Sequence, residues 1–331
     1  MVCFLAEMKQ ICLLSLVLVL TTCSPNTNRE LENHILEAEL EFKIEAELGE
    51  GALWNYKSQE LYWVDIEGKT LNLYSPTTKK NKVIVMPSRI GTVVPVDSNT
   101  VLTALENGVY KTDIETGSSE LFVDMKKELN GKRLNDGKCD PNGRFWVGSM
   151  HLEQTKGSAQ LFAIDHKGQL EMKIDSVTIS NGIVWTADKT TMYYIDTPTS
   201  EIKSYKYDVD KGTISNANVV MKFSESLGHP DGMTIDAEDK LWVGMWNGKS
   251  VLRIDPNIGK VIKTIEVPAL NVTSCAFGGD DLDILYITSA RVGMTEEELQ
   301  KYPLSGSVFK VRPGVKGLKC LYYKEQVSIE I

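Results

Sequence analysis

The chain of 331 residues is 42% hydrophobic and 24% charged, ordinary values for a folded globular protein. Its net charge of −9 argues against a nucleic-acid partner, because binding a phosphate backbone needs a basic surface. Repeats run without a linker from about residue 43 to the C-terminus, so one domain is expected although the length would allow two.

The first 23 residues differ in kind. An apolar run from Ile11 to Leu20 follows Lys9 and ends in Thr21, Thr22 and Cys23. The run is too short for a comfortable membrane span and matches a secretory signal. Its LTTC string also resembles a bacterial lipoprotein signal, in which Cys23 carries the lipid. The expectation is an exported protein, periplasmic or attached to the cell envelope of a bacterium through that lipid, with a polar tether over 24–42. Beyond the leader stand Cys139, Cys275 and Cys320, with no CxxC pair. An odd, scattered set suits neither a disulfide scaffold nor a zinc-thiolate site, so all three read as small buried residues.

From residue 61 onward, six short apolar cores recur: LYWVD at 61–65, TVLTA at 100–104, RFWVG at 144–148, MYYID at 192–196, LWVGM at 241–245 and LYITS at 285–289. Measured from Trp63 to Tyr286, the steps are 39, 44, 48, 48 and 44 residues. After most cores comes a turn and a second strand with a polar turn motif, as in LFAIDHKG at 161–168 and VLRIDPNIGK at 251–260. About four strands per unit of about 40–50 residues predict an all-β fold, a six-bladed β-propeller over 43–331. MTEEELQKY at 294–302 is the best short helical window. The repeated aromatics Trp63, Trp146, Tyr194 and Trp242 read as core between blades.

Four polar strings precede four of these cores: LGEGALW at 48–54, RLNDGKCDPNGRFW at 133–146, SNGIVW at 180–185 and HPDGMTID at 229–236. Glu50, Asn135, Asn181 and Asp231 stand 13, 11, 13 and 11 residues ahead of Trp63, Trp146, Tyr194 and Trp242. Extended chain alternates faces with period two, so offsets differing by two keep one face. In repeats that circle an axis, equivalent places converge. The other two units offer Arg89 or Gly91 and Thr273 or Cys275 at the matching offsets. Asp-Gly and Asn-Gly pairs are also plain hairpin residues, and the shared register is what favours a site over four unrelated turns. The carboxylates of Glu50 and Asp231 with the amide oxygen of Asn181 suit one divalent cation that prefers hard oxygen ligands: Ca2+, Zn2+, Mn2+ or Mg2+. Serine-elbow, zinc-protease, P-loop and dinucleotide signatures are absent from the sequence.

At these strings the chain resembles the regucalcin (senescence marker protein) and gluconolactonase family. RLNDGKCDPNGRFWVGSM, SNGIVW, PDGMTIDAEDKLWV and TSCAFGGDDLDILYITSAR carry the resemblance, which runs from GEGALW to GVKG at 314–317. It implies a six-bladed propeller with one cation at the axis and hydrolysis of sugar lactones. It places the metal-binding residues at Glu50, Asn181 and Asp231 and the substrate contacts at Arg133, Asn135 and Glu153. Asp231 would also be the catalytic base, with His229 beside it as a lid or supporting residue. Two rival readings use the same residues: a propeller that binds calcium or another ligand without turnover, and a metal-dependent hydrolase of other esters or phosphotriesters. The expected partner is a small lactone; no protein partner is inferred.

Overall fold

Each repeat folds as an antiparallel sheet because its apolar cores alternate with turns that reverse the chain every six to eight residues. The computed structural model describes residues 34–326. The leader over 1–23, Cys23 with its expected lipid, and the tether as far as residue 33 lie outside the described residues.

Six sheets are present, each with its first strand innermost, as the repeat predicts. The first four blades are built in simple chain order, the first from Gly49–Asn55, Glu60–Asp65, Thr70–Ser75 and Lys80–Val85. The inner strands of the second, third and fourth are Ile90–Pro95, Lys132–Cys139 and Ser180–Trp185. In the fifth blade His229–Ile235 is innermost, and His34–Glu37 adds a fifth strand parallel to the outer Lys260–Glu266. The sixth takes Asn271–Gly278, Ile284–Ala290 and Val308–Val311 from the end of the chain and its outermost strand, Glu39–Phe42, from the beginning. The short helix Glu296–Lys301 falls inside the expected window and starts with a reciprocal Thr295–Glu298 cap.

The expected tether over 24–42 is therefore corrected in its last part: 34–42 are two strands of the propeller. Ala38 is buried, and Leu36 and Phe42 pack on the cores of the neighbouring blades. Glu41 accepts hydrogen bonds from the Tyr74 hydroxyl at 2.8 Å and from Lys79 at 2.6 Å, so its charge is used rather than solvated.

Trp63, Trp146 and Trp242 are fully buried, and Tyr194 nearly so, as expected of residues that fill the space between blades. Two of the indoles are also fastened. Asp140 Oδ2 accepts from Trp146 Nε1 at 2.9 Å, from the Tyr207 hydroxyl at 2.6 Å and from Arg144 at 3.2 Å. Its other oxygen accepts the backbone N–H of Asn142 and Arg144, holding the turn. Asp236 repeats the device in the fifth blade, with Trp242 Nε1 at 2.9 Å and Arg253 Nε at 2.8 Å. Cys139, Cys275 and Cys320 are free thiols, the first two buried and the third half-buried.

Because Asp140 is fully buried and has one cation and two neutral donors on a single oxygen, Asp140→Ala is expected to cost about 3–5 kcal/mol of unfolding free energy. Urea denaturation checks it, and a loss no larger than that of an exposed substitution would refute the anchoring role.

Candidate active site at the front of the channel

Every inner strand breaks register near its beginning. Asn135 and Asp136 together oppose Gly148, Asn181 and Gly182 oppose Ile195, and Asp231 and Gly232 oppose Gly244. Gly51 and Ala52 oppose Trp63, Thr273 and Ser274 oppose Thr288, and Gly91 is the extra residue of the second blade. Two residues against one is a β-bulge, which bends the strand and re-aims its side chains. The bulges bring Asn135, Asn181 and Asp231 to one end of the channel, with Glu50 one residue ahead of its own.

This replaces the reason given by the equal offsets. Trp146 pairs with Lys138 and Trp242 with Thr234, but Tyr194 pairs with Ile183 and Trp63 lies opposite a bulge. The aromatic markers thus sit at different heights, and the bulge is what the sites share. Glycine is required where neighbouring inner strands nearly touch. A Cβ on Gly182 would lie 2.5 Å from that of Met233, and one on Gly232 would lie 2.7 Å from Ser274 Oγ. Gly51 has φ +61°, a conformation that a residue with a Cβ adopts at a cost.

The front cavity is about 740 Å³, with Glu50, Arg133, Asn135, Asn181 and Asp231 in its lining and Glu67 and Arg89 on one wall. Burial, then repulsion from Asp136, pushes the Glu50 carboxyl up to about 7. Burial, then the charges of Glu50 and Asp136, holds Asp231 well above the usual carboxylate range. Asn181 Nδ2 donates to Thr197 Oγ1 at 2.9 Å, while its Oδ1 is buried without a partner. Asp136 accepts the Gly137 N–H at 2.7 Å on one oxygen, and its other oxygen is likewise buried and unpaired.

Three buried acids with an orphaned amide oxygen among them form a set that fits a hard divalent cation. The cation would offset the repulsion and take the unused oxygen of Asn181, with Glu50, Asn181 and Asp231 as holders. Among the described residues no cluster of three or more His, Cys, Asp and Glu has metal-binding geometry, so a cation here would draw on the Asn181 amide oxygen as well as on carboxylates.

Arg133 is the buried cation of the site. Its Nη1 donates to Asn135 Oδ1 at 2.6 Å and to the Leu134 carbonyl at 3.0 Å. Burial pulls the guanidinium down to about 10, against the opposing charges of Glu67 and Glu50. Asn135 is engaged at both ends, since its Nδ2 also donates one N–H to the Ser180 carbonyl at 2.7 Å. It orients Arg133 across two blades. Arg89 donates from Nε to both oxygens of Glu67 and from Nη1 to Glu106, each at 2.9 Å. His229 lines the cavity with an exposed ring.

Glu153 is not brought into this group. It is exposed, and Leu152 and Gln154 on either side of it line the cavity instead. Its turn is pinned by the His151 ring, whose Nδ1 accepts the Glu153 N–H at 3.2 Å. Sequence reasoning missed Asp136, Glu67, Gln154 and Trp246. Asp136 was legible as the acid of NDG once Asn135 was singled out; Glu67 stands in an ordinary Glu-Gly turn and carries no signal.

Comparison with known proteins accounts for this arrangement. A family model described as SMP-30/Gluconolactonase/LRE-like region matches residues 48–291, which include every polar residue of the cavity named above. The chain belongs to this family. Within it, the chain is 40% identical over 277 residues to the putative sugar lactone lactonase YvrE of Bacillus subtilis, covering 84% of this chain and 95% of that one. It is 38% identical over 296 residues to zebrafish (Danio rerio) regucalcin, covering 86% and 97%. Among solved structures, the calcium-binding protein regucalcin of Agrobacterium tumefaciens superposes with a TM-score of 0.84 at 26% identity, covering 88% and 99%. A luciferin-regenerating enzyme gives 0.81 at 31% identity, covering 87% and 99%.

The raised acids set a pH dependence. A carboxyl that binds its proton more tightly in the fold than in the unfolded chain loses folding free energy as pH rises from its ordinary value to its folded value. With Glu50 at about 7 against an ordinary 4.5, and Asp231 also raised, metal-free protein should melt at progressively lower temperature from pH 4.5 to 7. Calorimetry in a chelator tests this. Asp136→Asn should flatten the slope by removing one of the repelling charges, and an unchanged slope would refute the role given to Asp136.

Proposed function

We propose that the protein is a hydrolase that opens small sugar lactones, aldonolactones such as gluconolactone, with a divalent cation held by Glu50, Asn181 and Asp231. The observation that carries this reading is the convergence of two carboxylates and one unpaired amide oxygen from three different blades beneath a buried arginine. The name of the Bacillus relative, a putative sugar lactone lactonase, supports the substrate class.

When bound, the cation supplies Lewis-acid polarisation of the lactone carbonyl. The chain's own groups do the rest. Arg133 keeps Nε–H and Nη2–H for sugar hydroxyls, because Asn135 and Leu134 occupy Nη1 alone. Asp231 takes a proton from water as the water oxygen bonds to the acyl carbon. It returns that proton to the ring oxygen as the acyl C–O bond breaks, so lactone and water give the open hydroxy acid. Leu152 and Trp246 line the cavity with apolar surface and restrict the water around the reacting bond.

Chelation should abolish lactone opening, and re-addition of calcium, zinc, manganese or magnesium in turn should restore it with one favoured ion. Asp231→Asn should lower kcat by about 10²–10⁴-fold with the circular dichroism spectrum unchanged. Unchanged turnover would sink the assignment. A second reading, cation binding without turnover, is favoured by the calcium-binding description of the Agrobacterium relative. It wins if the chain binds calcium and opens no lactone, aryl ester or phosphotriester in a broad panel.

Export with a lipid on Cys23 completes the proposal, on the strength of the LTTC leader. Cys23→Ala should move the protein from the membrane to the soluble fraction; equal fractionation of both forms would refute it.

A further inference from the structure

Two of the three residues that would hold the cation are joined by a side chain that takes no part in the proton transfers above. Thr197 stands half-buried on the wall of the front cavity, just beyond the end of the strand Thr191–Asp196 in the fourth blade. Its Oγ1 accepts from Asn181 Nδ2 at 2.9 Å and donates to the Pro230 carbonyl at 2.8 Å. Pro230 immediately precedes Asp231 in the fifth blade. One hydroxyl therefore ties the fourth-blade amide to the backbone that carries the fifth-blade carboxylate.

The direction of each bond follows from the chemistry of the groups. A hydroxyl has one hydrogen, and a peptide carbonyl can only accept. Thr197 gives its hydrogen to Pro230, so toward Asn181 it offers lone pairs alone. The end of the amide that faces it must then be the NH2 group. That leaves Oδ1 on the opposite side, buried with no hydrogen-bond partner. Turned the other way, the amide would set two acceptors against a single hydrogen and would present N–H groups where a cation needs an oxygen. Asp231, the other polar neighbour of this amide, selects neither end, because a carboxylate accepts from N–H and a carboxyl can also donate to oxygen.

Thr197 is itself held in place. Its N–H donates to the Ile179 carbonyl at 3.1 Å, two residues before Asn181. Asp196 accepts the backbone N–H groups of Thr178 and Ile179 at 2.9–3.2 Å, fastening the same turn to the same strand. Pro198 follows within a single turn of 3-10 helix, Thr197–Thr199, and restricts the backbone there. A β-branched side chain has little freedom at χ1, so the hydroxyl is aimed from a fixed base.

We propose that Thr197 is a positioning residue for the cation site. Its hydroxyl sets the Asn181 amide with the oxygen toward the cation and keeps Asn181 and Asp231 in register across two blades. This inference rests on the cation reading given above.

The test is calorimetric titration of the chelator-stripped full chain with calcium, so the readout is affinity rather than turnover. The wild-type chain should take up one equivalent. Thr197→Val, which keeps the shape and removes the hydroxyl, should weaken binding by about 10–100-fold, and Thr197→Ala, which cannot crowd the turn, should do the same. Thr197→Ser should bind as the wild type does. Asn181→Asp presents an oxygen whichever way it is turned, so in that background Thr197→Val should change the affinity by about twofold or less. A similar loss in both backgrounds would mark a general loosening of the turn and overturn the proposal. So would wild-type affinity in Thr197→Val, or a loss in Thr197→Ser as large as that in Thr197→Val. A wild-type chain that takes up neither calcium nor manganese would sink the cation reading and this inference with it, whereas normal uptake without an effect of Thr197→Val sinks this inference alone.

Discussion

Everything at the front of this propeller depends on one backbone irregularity repeated around the axis. A regular antiparallel strand alternates its side chains, so a narrow channel would receive every second residue at fixed heights. The extra residue in each inner strand breaks that alternation at one level and gathers polar side chains from separate blades. Close approach of neighbouring strands is the second half of the constraint. Without glycine at 182 and 232, Met233 and Ser274 would have to move outward, and the bulges would no longer face one another.

Gathering acids in this way works against the stability of the fold. Asp136 lies close enough to raise the proton affinity of Glu50 and of Asp231, Glu50 raises that of Asp231, and Arg133 offers a single compensating charge. Arg133 is itself held by Asn135, whose amide spans to the carbonyl of Ser180 in the next blade. The site is thus preorganised on its cationic side and electrostatically strained on its anionic side. That asymmetry is what one expects of a place shaped to take up positive charge.

The six blades were legible because each repeats an apolar core with turns at a near-constant period, a local pattern that tertiary structure does not alter. That Glu50, Asn135, Asn181 and Asp231 share one cavity was legible too, although equal offsets from the aromatics pointed to it for an incomplete reason, and Arg133 was reached through the family resemblance alone. Two things were not. The strands at 34–42 pair with 263–266 and 308–310, partners more than two hundred residues away, and nothing local in HILEAELEF distinguishes an edge strand from a charged linker. The other is that Glu153 stands outside the cavity lining while Leu152 and Gln154 line it, an outcome set by loop geometry and the His151 contact rather than by residue type.

The strand Glu39–Phe42 has a consequence for how the molecule is made. Its partner, Val308–Val311, is the last strand among the described residues, so the ring stays an open arc through most of translation. Until Asn271–Gly278 and Ile284–Ala290 are made, the first blade has no partner on that side and exposes an apolar flank. Closure joins residues from the two ends of the described chain, and such a long loop is costly to close in entropy. The cavity becomes a complete ring only when the inner strand Asn271–Gly278 of the sixth blade packs beside Gly49–Asn55 of the first, which carries Glu50.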